Sequence, residues 1–371
     1  MTDTLLAPAP LPADPAADRL GIVDCDIHPA QSTPTELHPF LPERWRTQLL
    51  RYGARVPQPF GGGLPYPRMT PGNGMRMDSW PPEGGPPASD LSFLREQLLD
   101  AYDMDYGILQ ALGPGGLALD QDLGAALCHA INAWQVAKWC EPEPRLKASL
   151  SITQEDPAAA RREVEAWAGD RRFVQLAVTP RTVEPLGRRR YWPIFELAVA
   201  AGLPIGLHSA AYGSHANSGA GWFSYYIEEH FAFAHSLQSV ISSMVMEGVF
   251  ERFPSLKVVV IEGGFAWAPA LGWRLDRQWA RMRDEVPHVK RPPSEYIREH
   301  VWYTTQPIEE PERRRDLLDT IAWVGADRLM FSTDYPHWDF DDPRFTFKVQ
   351  LPEAQRRAIF GGNAKALYRL D

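Results

Sequence analysis

Short, almost continuously apolar runs alternate along this chain with longer stretches of helical spacing. The runs fall at 21–26, 107–112, 146–152, 173–178, 204–208, 257–262, 301–304 and 328–333. Strands that are apolar throughout are buried on both faces, as in a parallel sheet. Between them, 91–103, 120–140, 157–168, 191–201, 235–250, 266–283 and 311–323 repeat apolar residues at helical intervals. Gly202 closes one of these segments and Pro254 follows another, both ordinary helix-end signals. The alternation predicts an α/β protein: a single (β/α)8 barrel of the TIM type, with long loop insertions at its C-terminal mouth. No sequence repeat supports a solenoid.

Three connections exceed ordinary loop length, and each follows a predicted strand. Residues 29–90 carry Gly61, Gly62 and Gly63, many prolines, Tyr66 and Trp80. Residues 209–234 are rich in Gly and Ser and hold Trp222, Tyr225 and Tyr226, while 334–352 hold Trp338, Asp339, Asp341 and Asp342. Long ordered loops on that face shape pockets or partner surfaces. We therefore expect residues 21–371 to form one barrel domain, with 29–90 as its lid or interface. Residues 1–20, mostly Ala, Pro and Asp, have no basic stretch leading into an apolar core. They predict a disordered or surface-draped arm rather than a signal peptide.

The chemistry is concentrated where the predicted strands end. Strand one ends in Asp26 and His28, two residues apart and so on one face. Strand five ends in His208, strand six in Glu262, and strand eight runs into Asp334 and His337. In a barrel all of these open on one mouth. Two imidazoles and three carboxylates there are poorly tolerated without a cation. A divalent metal (Zn, Mn or Fe, one ion or two) resolves the conflict, since mixed nitrogen and oxygen ligation suits all three. Asp26, His28, His208, Asp334 and Glu262 are the expected ligands. Glu262 and Asp334 are the expected proton carriers, with His337 supporting them.

Other candidates stand further out. His230 and His235 are five residues apart, which keeps them off one helical face, and either is a second-shell group or a further ligand. His215, Trp80 and Trp222 sit in the long loops as substrate contacts. His38, His129, His288 and His300 carry no supporting pattern. Cys25 alternates with Asp24 and Asp26 and is expected to pack.

Composition narrows the partners. A net charge of -9, with no basic stripe, excludes nucleic acid, and no apolar run is long enough to span a bilayer. Three cysteines are too few for a disulfide framework, which fits a reducing cytoplasm. A small-molecule substrate remains, with the aromatic loops available for contact between copies of the chain or with a paralogous subunit.

The segments Ile22 to His28, Gly248 to Val258, Glu262 to Gly264, Ser332 to His337 and Gly362 to Tyr368 together resemble the amidohydrolase superfamily. The likeness is to the amidohydrolase-related branch that includes aminocarboxymuconate semialdehyde decarboxylase. It implies a metal held by a His-x-His on strand one, a His on strand five and an Asp on strand eight. This chain has Asp26 in place of the first His, and Glu262 where the family often places a strand-six His. Strand four offers no lysine for a bridged two-metal site; Gln175 is its polar residue. More oxygen donors shift the metal preference from Zn toward Mn or Fe. The resemblance implies a metal-dependent hydrolase or non-oxidative C–C lyase, decarboxylase-like, acting on a small carboxylate-bearing molecule. Two alternatives remain: an O2-dependent non-haem di-iron or iron–manganese hydroxylase, as in some Asp-x-His members of this branch, and a structural subunit paired with an active paralogue.

Overall fold

The computed structural model describes residues 19–33, 35–53, 74–113, 116, 118–209 and 216–371. His215 and the Gly61–Gly63 stretch lie outside them. Eight parallel strands form one sheet in sequential order: β1 (Ile22–Ile27), β2 (Met104–Leu109), β3 (Leu146–Ser151), β4 (Phe173–Val178), β5 (Ile205–His208), β6 (Val258–Ile261), β7 (Val301–Thr304) and β8 (Leu329–Met330). The ring is closed by two backbone bonds, Cys25 N to Phe331 O (3.0 Å) and His28 N to Tyr335 O (2.8 Å). The result is a (β/α)8 barrel.

β2 begins and ends earlier than the apolar run predicts. Ala111, Leu112 and Gly113 leave the sheet and line a cavity at the mouth. β8 is only two residues long, because Phe331 N and Ser332 N bond to Ile359 O and Thr305 Oγ1 instead of continuing a ladder. The helix expected at 235–250 begins at Tyr226 and runs to Met246. Its first turns expose Ile227 and Phe231, which hides the one-sided burial that reveals a helix in sequence. Three helical segments escaped the periodicity: Glu43–Tyr52, Pro293–His300 and the short turns between Glu353 and Tyr368.

The main core fills the space between barrel and helices. A smaller cluster joins Val23, Cys25, Ile108, Val174, Val259, Ile261 and Met330 to Ala364, Leu367 and Tyr368 of the C-terminal helix. Cys25 packs as expected, with no exposure. Lys365 bonds Asp105 at the start of β2, so this helix seals the N-terminal end of the strands. The opposite end carries the described part of the long insertion. Gly74 O accepts from Trp338 N (2.7 Å), Arg76 N donates to Pro336 O (2.9 Å), and Met75 bridges His337. Among the described residues no helix is long and apolar enough to cross a membrane.

The seal depends on a glycine. A Cβ at Gly361 would lie 2.0 Å from Gly21 O, which is backbone and cannot swing aside. Gly361→Ala should therefore lower unfolding stability by about 1–3 kcal/mol. A denaturant titration checks this, and an unchanged midpoint would show that the helix docks with slack.

Candidate metal centre

Each candidate side chain is delivered by a strand end and held by a buried bond. Asp26 and His28 close β1, with His28 Nε2 3.2 Å from Asp26 Oδ1. His28 Nδ1 bonds Gln110 O at 3.1 Å, which fixes the ring. His208 ends β5, and its Nε2 lies 3.1 Å from Glu262 Oε2 and 3.7 Å from Asp26 Oδ2. Glu262 follows β6 in a left-handed conformation (φ 51°), and Asp334, beyond β8, does the same (φ 61°). Non-glycine residues hold such backbone only where their surroundings enforce it, and they cluster at functional sites. At Glu262 the restraint is visible: its N donates to Thr304 Oγ1 (3.2 Å). Two residues on, Gly264 (φ 61°) leaves room for Glu309, which accepts from Phe265 N and Ala266 N.

The four donors that converge are Asp26, His28, His208 and Glu262, all buried. The expected set of five contained these four and Asp334. Asp334 instead lies in a second group with His28 and His337. Its Oδ1 is 2.8 Å from His28 Nε2 and 2.7 Å from His337 Nδ1. His230, on the helix Tyr226–Met246, approaches from the far side. Its Nε2 lies 3.0 Å from Asp339 Oδ2 and 3.9 Å from Glu262 Oε1. His235 does not join it; that ring is exposed and packs on Phe231. Trp80 is 39% exposed and Trp222 lies near the Arg181 guanidinium; neither lines the cavity beside His208.

Two features escaped the sequence reading. Asp24, fully buried, accepts from Asp26 N (3.1 Å), Thr333 N (2.9 Å) and Thr333 Oγ1 (2.5 Å). One carboxylate thus ties the turn bearing Asp26 to the turn bearing Asp334. The alternation Asp24, Asp26, His28 was the available signal. The second is Gln306, whose Nε2 donates to Asp339 Oδ2 (2.7 Å) and so steadies the partner of His230.

The electrostatics are those of a site built around a cation. Both oxygens of Asp26, both ring nitrogens of His208 and Oδ2 of Asp334 are buried without a hydrogen-bond partner. Buried polar atoms are normally paired, so this set of orphans fits an ion with mixed oxygen and nitrogen ligands. Burial pushes the Asp24 carboxyl up to about 7. Burial, reinforced by Glu262, Asp339 and Asp26, holds Asp334 well above the carboxylate range. His28 is driven down to about 3, chiefly by burial. For His208, burial is outweighed by Asp26 and Glu262, and it rises to about 10. Asp26 falls below its usual range, because the neighbouring imidazoles His28 and His208 outweigh burial.

Beside His208 opens a small cavity of about 70 Å³, walled by Ala111, Leu112, Ile131, Ile152, Ala177 and Val178. An apolar cavity with a few convergent polar groups is the usual form of a small-molecule site.

A sequence profile of the amidohydrolase family matches residues 23–370, and the chain belongs to that family. Gamma-resorcylate decarboxylase of Polaromonas sp. (strain JS666) is 26% identical over 301 residues, 76% of this chain and 88% of that protein. A dihydroxybenzoic acid decarboxylase structure from the same organism, with bound manganese and the inhibitor 2-nitroresorcinol, superimposes with a TM-score of 0.65. It is 21% identical, over 94% of this chain and 97% of that one. An amidohydrolase of Mycobacterium avium subsp. paratuberculosis K-10 gives a TM-score of 0.71 at 21% identity, over 94% and 98% of the two chains.

His208 must lose its proton before Nε2 can coordinate, whereas His28 is already neutral. The affinity of metal-stripped protein for Mn2+ should therefore rise with pH, by roughly tenfold per unit below the His208 value. Calorimetry in two buffers of different ionisation enthalpy should count about one proton released per ion. A pH-independent affinity would remove His208 from the ligand set, as would full metal retention by His208→Ala.

Proposed function

We propose that this enzyme is a metal-dependent, non-oxidative decarboxylase of small aromatic carboxylates. The observation that carries the reading is the buried cluster itself: Asp26, His28, His208 and Glu262 converge beside an apolar cavity, with both oxygens of Asp26 and both ring nitrogens of His208 lacking hydrogen-bond partners. The decarboxylase relatives, one of them holding manganese, support it. A divalent ion on these four residues, Mn2+ by preference, would orient the substrate carboxylate with an adjacent oxygen and offset their charge.

The chain's own groups then do the proton work. Asp334 enters protonated at Oδ2, the oxygen without a partner, while Oδ1 accepts from His337 Nδ1. The proton passes from Oδ2 to the ring carbon that bears the carboxylate. The electron pair of the carbon–carbon bond returns to the ring as CO2 departs. Asp334, left ionised, takes its next proton from solvent. The cavity wall keeps water from the ring while its aromaticity is interrupted. Asp24, through Thr333, holds the Asp334 turn in register with Asp26.

We further propose that the enzyme acts in the cytoplasm as a homo-oligomer. Three free, buried cysteines support the first point, and the exposed Ile227, Phe231 and Met77 near the mouth support contact between copies. Neither an oxygen-dependent hydroxylase nor a non-catalytic subunit has a counterpart among the functionally described relatives named above.

Release of CO2 from ortho-hydroxylated benzoates by Mn2+-loaded protein tests the activity. Asp334→Asn should keep the metal and slow turnover by about 10²–10⁴-fold. Glu262→Gln should lower metal content. An Asp334→Asn enzyme of full activity would refute the assigned proton donor; oxygen-dependent product formation would refute the decarboxylase.

A further inference from the structure

The mouth is electrically two-sided. On the β6–β8 side stand Glu262, Asp334, Asp339 and Asp341, with His230 between the first and third. On the β2–β5 side lies the cavity next to His208, and among its described lining residues His208 is the single ionisable group. The amides in that lining are already engaged. Gln110 accepts from Ser149 Oγ, and Gln154 is bonded on both sides to the backbone of Thr179. The hydroxyls of Ser151 and Thr179 remain as donors. Arg181, the buried cation just beyond β4, lies against Trp222 and does not line the cavity.

We propose that the site selects monocarboxylates: one anionic group, placed at the metal cluster, on an otherwise uncharged ring carried in the β2–β5 cavity. The inference rests on the carboxylate-binding reading above and adds a rule for the rest of the substrate. Among the described residues lining the cavity, a second carboxylate finds no cation. Directed toward β6–β8 it meets the carboxylates of Glu262 and Asp339. Directed into the cavity it is desolvated against Ala111, Ile131, Ile152 and Val178 without a cation. Neutral ring substituents such as hydroxyl or methoxy meet Ser151 and Thr179. The ring therefore lies toward β2–β5, with its carboxylate-bearing carbon facing Asp334.

Calorimetry on Mn2+-loaded protein with salicylate and with 2-hydroxyterephthalate, which adds only a second ring carboxylate, tests this. The diacid should bind on the order of 100-fold more weakly, or less tightly still. Leu112, 41% exposed at the lip of the cavity, can accept a cation without disturbing the core. Leu112→Arg should narrow the gap by about tenfold or more. Equal binding of the two acids overturns the proposal, and so does no binding of either or a gap untouched by Leu112→Arg. CO2 release, measured separately, keeps the two readings apart. Selective binding with no CO2 from any monoacid removes the decarboxylase and leaves the charge rule. Equal turnover of diacids does the reverse.

Discussion

The central constraint is the burial of Asp24, Asp26, Glu262 and Asp334 together, with imidazoles as the bases among them. Four carboxyls withdrawn from water in one small volume repel one another and lose hydration, at a cost of several kcal/mol each if left ionised and unpaired. The chain meets this in three ways. Asp24 is raised to about 7 and bonded to three donors. Asp334 is held well above the carboxylate range by burial. Asp26 and Glu262 face His208 and share the volume an ion would fill. Removing any one of these arrangements throws the charge onto the others, so the residues act as a unit rather than as separate ligands.

A strand that offers no ligand, β7, does much of the holding. From its last residue onward, Thr304 Oγ1 accepts from Glu262 N, Thr305 Oγ1 accepts from Ser332 N, Gln306 N donates to Ser332 Oγ, and Glu309 bonds the turn after Gly264. These residues lie between the two left-handed positions, Glu262 and Asp334, and brace both. Geometry this close to the chemistry is set by such supports as much as by the donors themselves.

Much of this was legible in the sequence, and the physical reason is periodicity. Strands buried on both faces must be apolar throughout, so the barrel could be counted, and ligand-type residues at four strand ends marked the mouth. What escaped were features that periodicity does not encode. The exposed start of the helix at Tyr226 has no buried stripe. The short helices after Pro292 and Pro352 bury too little to show one. Spacing could place Asp334 at the mouth but could not say that Glu262, rather than Asp334, closes the tightest group of four. That depends on how the two left-handed turns aim their side chains. Asp24 looked like strand alternation because its partner, Thr333, is 309 residues away in sequence.

That separation governs how the protein comes into being. The bond between Asp24 and Thr333 lies on the seam where the first and last strands close the ring, and a contact so distant in sequence demands a large loss of chain entropy. A chain that has built β1 to β6 already carries Asp26, His28, His208 and Glu262, but its first and last strands are not yet sewn together. In that half-made vessel the acids would still face water. On the proposed ligand set, tight metal loading would coincide with closure of the ring, and the ion would act as a latch on the finished barrel.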